Sequence, residues 1–524
     1  MSESKPSAPA AVTPVTDQIV IGYHRQLTAQ GLDSAHKLIA QIMEKLGDKG
    51  VVALDHYVAA GSGGESAFAV SLVRLDDPAF TLSDLQSLAG SGEYETIAFC
   101  ERNAQVGILS LASTPLGLKT LTAFNDPLAF DQWPLATLGA TEPWTATPPA
   151  GSSTIVAIVD SGLRRLDGTI HADIGAVQPI PACQPAPYAD GIDREGHGTR
   201  LAGTIAALFD NSIGIASAVP ATWGISLLPI KFFETGEPAT AYYASTAISC
   251  AVDQGAKVVN ASWHVAPADS NLTMLKSAIE YAMGKGCLVV AAAGNSGTNN
   301  ELFPIYPANF GAVPPLAGNG MLTVMAVDRY DVKASFSNYG PNTVDIAAPG
   351  VGIMTTGQYL VDPPRYEFHT GTSASAAFVS AGAALVFALN PAWTPRQVIQ
   401  HLTAAADVVA GLRLACVGGR RLNLRRAVYG PIVILAPLSG TSLPAGQQAQ
   451  IRWGNEYTNP DFTDVAIDFS KDDGVTWTPL TASTPNDGAF DWTPGAADRT
   501  TKARLRITPL AGNFPVTSDK FKIV

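Results

Sequence analysis

Between Leu118 and Tyr429, short and almost continuously apolar runs alternate with helix-patterned stretches. The runs at residues 154–159, 258–260, 288–292 and 344–347 are too apolar for strands with one solvated face, and residues 239–254 and 271–285 show helical spacing. Strands that are apolar on both faces and joined through helices predict a parallel sheet covered by helices on both sides. At roughly 150 residues per domain, a chain of 524 residues holds about three units, so this region has neighbours.

Both flanks have a different rhythm. In residues 18–102 the pattern reads β-α-β-β-α-β, a small α+β unit: a β-rich run at 19–23, a helix over 34–46, strands at 51–54 and 67–70, a short helix from Ser83, and a closing strand at 95–99. Residues 1–17 read as a disordered polar leader, with no basic stretch followed by an apolar run and hence no secretory signal peptide. From residue 431 to 524 the helices stop. Alternating strands such as 450–453 and 504–507, with turns at Asp472-Asp473-Gly474 and Asn486-Asp487-Gly488, predict a small β-sandwich.

Composition removes several function classes. The net charge of −12 argues against nucleic-acid binding as the main task, and no run of about 20 uncharged apolar residues marks a membrane span. The 5 Cys form no CxxC pair, which excludes a common zinc site. They read as unpaired core thiols rather than disulfides, Cys250 and Cys287 falling in a helix and a strand, and none has a nucleophile's setting.

Three segments carry candidate chemistry. Asp160 ends an apolar strand, where a carboxylate projects into the crevice of an open α/β sheet, or simply begins a turn. His197 stands between Gly196 and Gly198, which let backbone pass close on either side, whereas the other seven His lack such a frame and read as surface or loop residues. Ser373 opens a long helix of small residues, where a serine is either a cap or a nucleophile served by free amides. Taken together, the order Asp160, His197, Ser373 is that of the subtilisin triad.

The region therefore resembles the subtilisin-like serine proteases, or subtilases. The resemblance rests on Val159-Asp160-Ser161-Gly162, on Gly196-His197-Gly198-Thr199 with Ala202-Gly203-Thr204, and on Gly371-Thr372-Ser373 with Val379. Ala291 to Gly297, Phe336 to Gly340 and Ala347 to Gly350 add to it. It implies a peptidase domain over 125–429 that hydrolyses peptide bonds through an acyl-enzyme, without a catalytic cofactor. Ser373 would be the nucleophile, His197 the base and then the acid, and Asp160 the group that orients His197. Asn295 and the Ser373 amide would form the oxyanion hole, and Ser262, Trp263, His264, Ala292 and Gly294 would line the substrate.

There are departures from the family pattern. The usual proline after the nucleophile is missing, Arg200 replaces a common second histidine, and His264-Val265 replaces a pair of glycines on the substrate-binding strand. That last change implies either a narrower cleavage preference or a rearranged loop with an ordinary pocket. Asp173, Asp210 and Asn211 resemble the segments of a structural calcium site and equally read as turn residues. The 18–102 unit resembles a subtilase propeptide, a chaperone and temporary inhibitor that would be the protease's own partner, followed by a linker and processing region at 103–124.

The sandwich resembles Ig-like modules appended to secreted hydrolases. Its Trp453, Trp477 and Trp492 would form either a surface-ligand face or a core. These readings imply a self-processed serine endopeptidase acting on proteins or peptides. The alternatives are an idle binding scaffold and a transamidase or peptide cyclase. Without a signal peptide, the chain is expected to be made in the cytoplasm and either to leave by a non-classical route or to work inside.

Overall fold

The computed structural model describes residues 18–23, 32–47, 51–60, 66–75, 82–88, 97–102, 106–108, 111–112, 125–140, 146–234, 240–265, 272–357, 365–429, 432–454, 463–510, 515–518 and 520–524. The leader at 1–17 and most of the 103–124 linker lie outside them. Two compact units form: residues 1–137, 141–399 and 409–420 make the first, and 138–140, 400–408 and 421–524 the second.

The N-terminal part of the first unit has the order read from the sequence: β1 (Gln18–Tyr23), α1 (Leu32–Gly47), β2 (Val51–Ala60), β3 (Ser66–Leu75), α2 (Leu82–Leu88) and β4 (Ile97–Arg102). The strands pair antiparallel in the order β2-β3-β1-β4. Strand alternation sends the two sets of side chains to opposite faces. Ile19, Ile21 and Val73 pack with Ile39, Ile42 and Leu46 of α1 and Leu85 of α2. Val20, Val70 and Leu72, from the other face, join the large core built on the parallel sheet. For that reason residues 18–102 do not separate as a third unit. Two further short strands follow, β5 (Val106–Ile108) and β6 (Leu111–Ala112).

The rest of the unit is the α/β fold the sequence predicts. A short helix α3 (Trp133–Thr137) leads to β7 (Thr154–Asp160), α4 (His197–Ala206), β8 (Ile225–Lys231), α5 (Ala241–Asp253), β9 (Val258–Ala261), β10 (Trp263–Val265), α6 (Thr273–Gly284), β11 (Leu288–Ala292), β12 (Met321–Val327), β13 (Ile346–Pro349), β14 (Ile353–Thr356), β15 (Tyr366–Thr370) and α7 (Thr372–Leu389). Six strands run parallel in the order β13-β12-β11-β9-β7-β8. Strand β7 has β8 on one side and β9 on the other, so the winding reverses there. Open α/β sheets bind ligands outside the carboxyl ends of strands at such a reversal. Helix α7 is long and apolar enough to cross a membrane by composition, but 94% of it is buried, as expected of a core helix.

The second unit contains two small sheets. Strands 433–436, 449–454 and 489–492 form one; strands 464–470, 478–485, 500–509 and 521–523 form most of the other. Ile451, Trp453 and Trp492 from the first meet Val465, Ile467, Leu505 and Phe521 from the second in one core, the arrangement of a sandwich. Trp453 and Trp492 are therefore core aromatics. Trp477 is half-buried and carries the Arg506 guanidinium 4.5 Å from its ring centre.

The cysteines correct the expectation of unpaired thiols. Cys183 and Cys250 form a disulfide across a sequence separation of 67. Cys287 and Cys416 are free and buried, and burial pushes their thiols up to about 12 and about 11, so neither is an available thiolate. The side chain of Cys100 lies outside the described ones.

Candidate active site

Asp160 is the last residue of β7 and is fully buried. Its Oδ1 accepts a hydrogen bond from the Ser161 amide at 2.8 Å and lies 2.7 Å from His197 Nδ1. His197 is the first residue of α4 and is also buried. Two glycines bring its backbone in. Gly196 has φ of +75°, the left-handed region, and a Cβ on Gly198 would stand 2.1 Å from the Gly162 carbonyl oxygen. With Nδ1 directed at the carboxylate, His197 Nε2 is left buried and makes no hydrogen bond.

A residue not singled out in the sequence fixes this helix. Buried Asp193 accepts from the amides of Gly196 at 2.7 Å, Glu195 at 3.2 Å and Thr199 at 2.8 Å, and from the Thr199 and Ser161 hydroxyls at 2.6 and 2.8 Å. A carboxylate at this position satisfies otherwise unpaired first-turn amides and complements the helix dipole. Ser161 in turn accepts from the Gly198 amide at 2.9 Å, which ties the Asp160 turn to the His197 turn. Arg200 turns away to Glu367 at 2.6 Å, joining α4 to β15.

Ser373 is the second residue of α7, buried, with its carbonyl 3.3 Å from the donating Ser262 hydroxyl. Asn260 and Ser380 continue this contact at 2.9 and 3.0 Å and lock β9 to α7. Asn295 follows β11. Its Oδ1 accepts from the Thr372 amide at 3.0 Å and the Thr372 hydroxyl at 2.8 Å. Because a backbone N–H can only donate, this contact identifies the amide's oxygen and leaves Nδ2 as the outward donor, buried and unpaired. Gly294, at φ +112°, makes room for the amide of Asn338, which accepts from the Ser296 and Thr298 amides at 2.9 and 3.2 Å.

The most unexpected neighbour is His369. Its Nε2 is 2.9 Å from Ser373 Oγ, and its ring meets that of His197 edge-on with centroids 5.6 Å apart. Burial, with help from the nearby His197 and Arg200, holds His369 well below the usual histidine range, so it is neutral. His171, His369 and His401 are all buried, against the expectation of surface or loop residues. No frame of glycines marked them, since each owes its burial to distant elements.

The residues expected to line the substrate divide. Trp263 points into the core, with its indole N–H donating to the Val159 carbonyl at 3.0 Å and its ring packed on Phe232, so its side chain is not a substrate contact. Val265 is buried and exchanges backbone hydrogen bonds with Tyr306 at 2.6 and 3.0 Å, so the departure from glycine here extends a strand. His264 is half-buried between them. Ala292 ends β11 in the core, two residues before Gly294.

The open edge of β10 is paired. Val106, Gly107 and Ile108 of β5 run antiparallel to Val265, His264 and Trp263. Across the site, Leu111 and Ala112 of β6 run antiparallel to Thr370 and His369 of β15.

The expected calcium ligands do not fit a cation. Asp173 Oδ1 accepts from Asn211 Nδ2 at 2.9 Å, while Oδ2 accepts from the Ile215 amide at 2.9 Å and the Tyr366 hydroxyl at 3.0 Å. Asp210 Oδ1 accepts instead from the Asn125 amide at 3.0 Å. The two carboxylates thus serve separate networks of donors, and Asn211 presents its NH₂ where a cation requires oxygen. Among the described residues no cluster of three His, Cys, Asp or Glu forms a metal site.

The sequence profile of the subtilase family matches residues 151–430. The thermophilic serine proteinase of Bacillus sp. (strain AK1) is 35% identical over 222 residues, covering 42% of this chain and 49% of its own. Subtilisin NAT of Bacillus subtilis subsp. natto is 33% identical over 260 residues, covering 49% of this chain and 61% of its own. The chain thus spans about half to three fifths of the length of these relatives. Among solved structures, fervidolysin from Fervidobacterium pennivorans, described as a keratinolytic enzyme related to subtilisin, superposes with a TM-score of 0.58 at 20% identity. That match covers 100% of this chain and 79% of that one, a likeness of fold.

Proposed function

Because the chain belongs to the subtilase family, we propose that it is a serine endopeptidase, made as a zymogen and acting through Asp160, His197 and Ser373. The observation that carries this reading is the buried cluster at the reversal of the sheet: His197 Nδ1 bound to Asp160 at 2.7 Å, its Nε2 open, and Ser373 at the start of α7.

In the proposed reaction Ser373 Oγ attacks the scissile carbonyl carbon and its proton passes to His197 Nε2. Asp160 stabilises the imidazolium, and Asn295 Nδ2 with the Ser373 amide receives the developing oxyanion. Breaking the C–N bond transfers that proton to the leaving amine. Water then repeats the sequence on the acyl-enzyme and releases the acid. No cofactor enters these steps.

The zymogen reading is supported by two backbone pairings on either side of Ser373, β5 on β10 and β6 on β15, which are what an extended peptide crossing the nucleophile would make. The N-terminal sheet packing on the core of α5 and α6 supports the same role as inhibitor and folding template. Self-cleavage is expected between Ile108 and Leu111. The Cys183–Cys250 disulfide supports a working place outside the reducing cytosol.

One experiment addresses the whole proposal. The purified chain is incubated with casein, and substrate and enzyme are both analysed by mass spectrometry. Casein fragments and a new N-terminus within residues 109–111 are expected, and both should vanish in S373A. Undiminished cleavage by S373A would overturn the assignment.

A further inference from the structure

Ser373 has one imidazole, that of His369, at hydrogen-bond distance and one proton to give. Its hydroxyl oxygen lies 2.9 Å from His369 Nε2, whereas His197 Nε2, the nitrogen that must take the proton, makes no hydrogen bond. Resting on the reading of Ser373 as nucleophile, we propose that His369 holds the Ser373 hydroxyl away from His197, so that releasing this hydrogen bond is a step on the way to every acylation.

The local structure makes the hold persistent. His369 is the fourth residue of β15 and lies four positions before Ser373, so the strand and the turn into α7 set the distance. The side chain is 1% exposed. Its ring stands at 74° to that of His197, so the two imidazoles meet edge-on around the nucleophile. Among the described residues, the charged and titratable groups facing it are His197 and Arg200 of α4, and Arg200 is itself paired with Glu367 on the same strand as His369. A cationic His369 beside these groups is disfavoured, and a neutral imidazole can accept the hydroxyl proton at Nε2. The hold also falls on the strand that pairs with the N-terminal segment, His369 opposite Ala112. Engagement of that segment and restraint of the nucleophile therefore meet at one residue.

His369 is thus a positioning residue whose removal should speed the first covalent step, the reverse of what loss of a merely structural contact would do. The test follows the rate at which the Ser373 hydroxyl of the folded chain is sulfonylated by phenylmethanesulfonyl fluoride, with loss of fluoride and with the adduct located on Ser373 by mass spectrometry, for the parent, H369L and H369Q. One neutral hydrogen bond corresponds to about a fivefold rate increase in H369L. H369Q, which places a hydrogen-bonding group at the same reach, should stay within about twofold of the parent. The proposal is overturned if folded H369L reacts no faster than the parent, or if H369Q accelerates as much as H369L. Should H369L fail to fold, H369F replaces it, nearer in shape and without a hydrogen-bonding atom, under the same two outcomes. A folded parent that is not labelled at all would instead sink the reading of Ser373 as nucleophile.

Discussion

A Cβ placed on Gly198 would stand 2.1 Å from the carbonyl oxygen of Gly162. Gly162 follows Asp160 by two residues and Gly198 follows His197 by one, so this backbone contact brings Asp160 Oδ1 and His197 Nδ1 to 2.7 Å. Nothing larger than hydrogen fits between the two turns. We expect G198A to push α4 off β7 and to lower kcat on the order of 10²-fold, the effect of misplacing a reacting group by about 1 Å. Steady-state kinetics on a folded variant check this, and a kcat within threefold of the parent would show that the turns can part without cost to the pair.

Thr372 holds the oxygen end of Asn295, leaving its amide N–H₂ as a prepared donor. N295A should reduce kcat on the order of 10²–10³-fold with little change in KM, the magnitude found for such a donor in subtilisin. N295D keeps the shape, reverses the polarity, and should be at least as slow. A loss carried by KM instead would assign Asn295 to ground-state binding.

The disulfide between Cys183 and Cys250 anchors the 183 loop to α5. Cross-linking across a separation of 67 residues restricts the unfolded chain, and its removal is expected to cost about 2–4 kcal/mol. The double variant C183A/C250A should unfold at correspondingly lower denaturant. Adding a reductant should lower the parent's midpoint toward it and leave the double variant unmoved. Equal midpoints for parent and variant would remove the bridge from the stability account.

His401 is buried in the second unit, with Nε2 2.7 Å from the Ala427 carbonyl, and burial pushes it down to about 4. The unfolded chain therefore binds more protons than the folded one between about pH 6.5 and pH 4. Its contribution is complete above pH 6.5 and is lost as pH falls through 4, reaching roughly 3 kcal/mol at full extent. Calorimetric melting across that window should show a steep acid loss in the parent and a shallower one in H401Q, which keeps a donor for Ala427. Identical slopes would place the acid-sensitive group elsewhere.

The chemistry-bearing segments were legible because each is local. A carboxylate at the end of an apolar strand, a histidine between two glycines and a serine opening a helix are each short patterns whose backbone reason lies within a few residues. The parallel sheet was legible for a similar reason, since β7, β9 and β11 must be apolar on both faces to be buried on both. The structure added partners that periodicity does not encode. Trp263 sits on a strand expected to face substrate, yet its indole turns inward to cap Val159. Asp173 resembles a cation ligand, but Tyr366, brought from 193 positions away, supplies a hydroxyl instead.

By itself, then, the sequence determined the elements and their parallel class and singled out Asp160, His197 and Ser373 as candidates, because propensity, patterning and backbone freedom act over short spans, while Asn295 came from the resemblance to the subtilases. Only the tertiary structure decided that Cys183 meets Cys250, that Val106–Ile108 and Leu111–Ala112 pair with β10 and β15, and that His369 Nε2 reaches the Ser373 hydroxyl. Those relationships depend on which surfaces meet once apolar faces are buried, and two residues far apart in the chain become neighbours only when the whole core has closed around them.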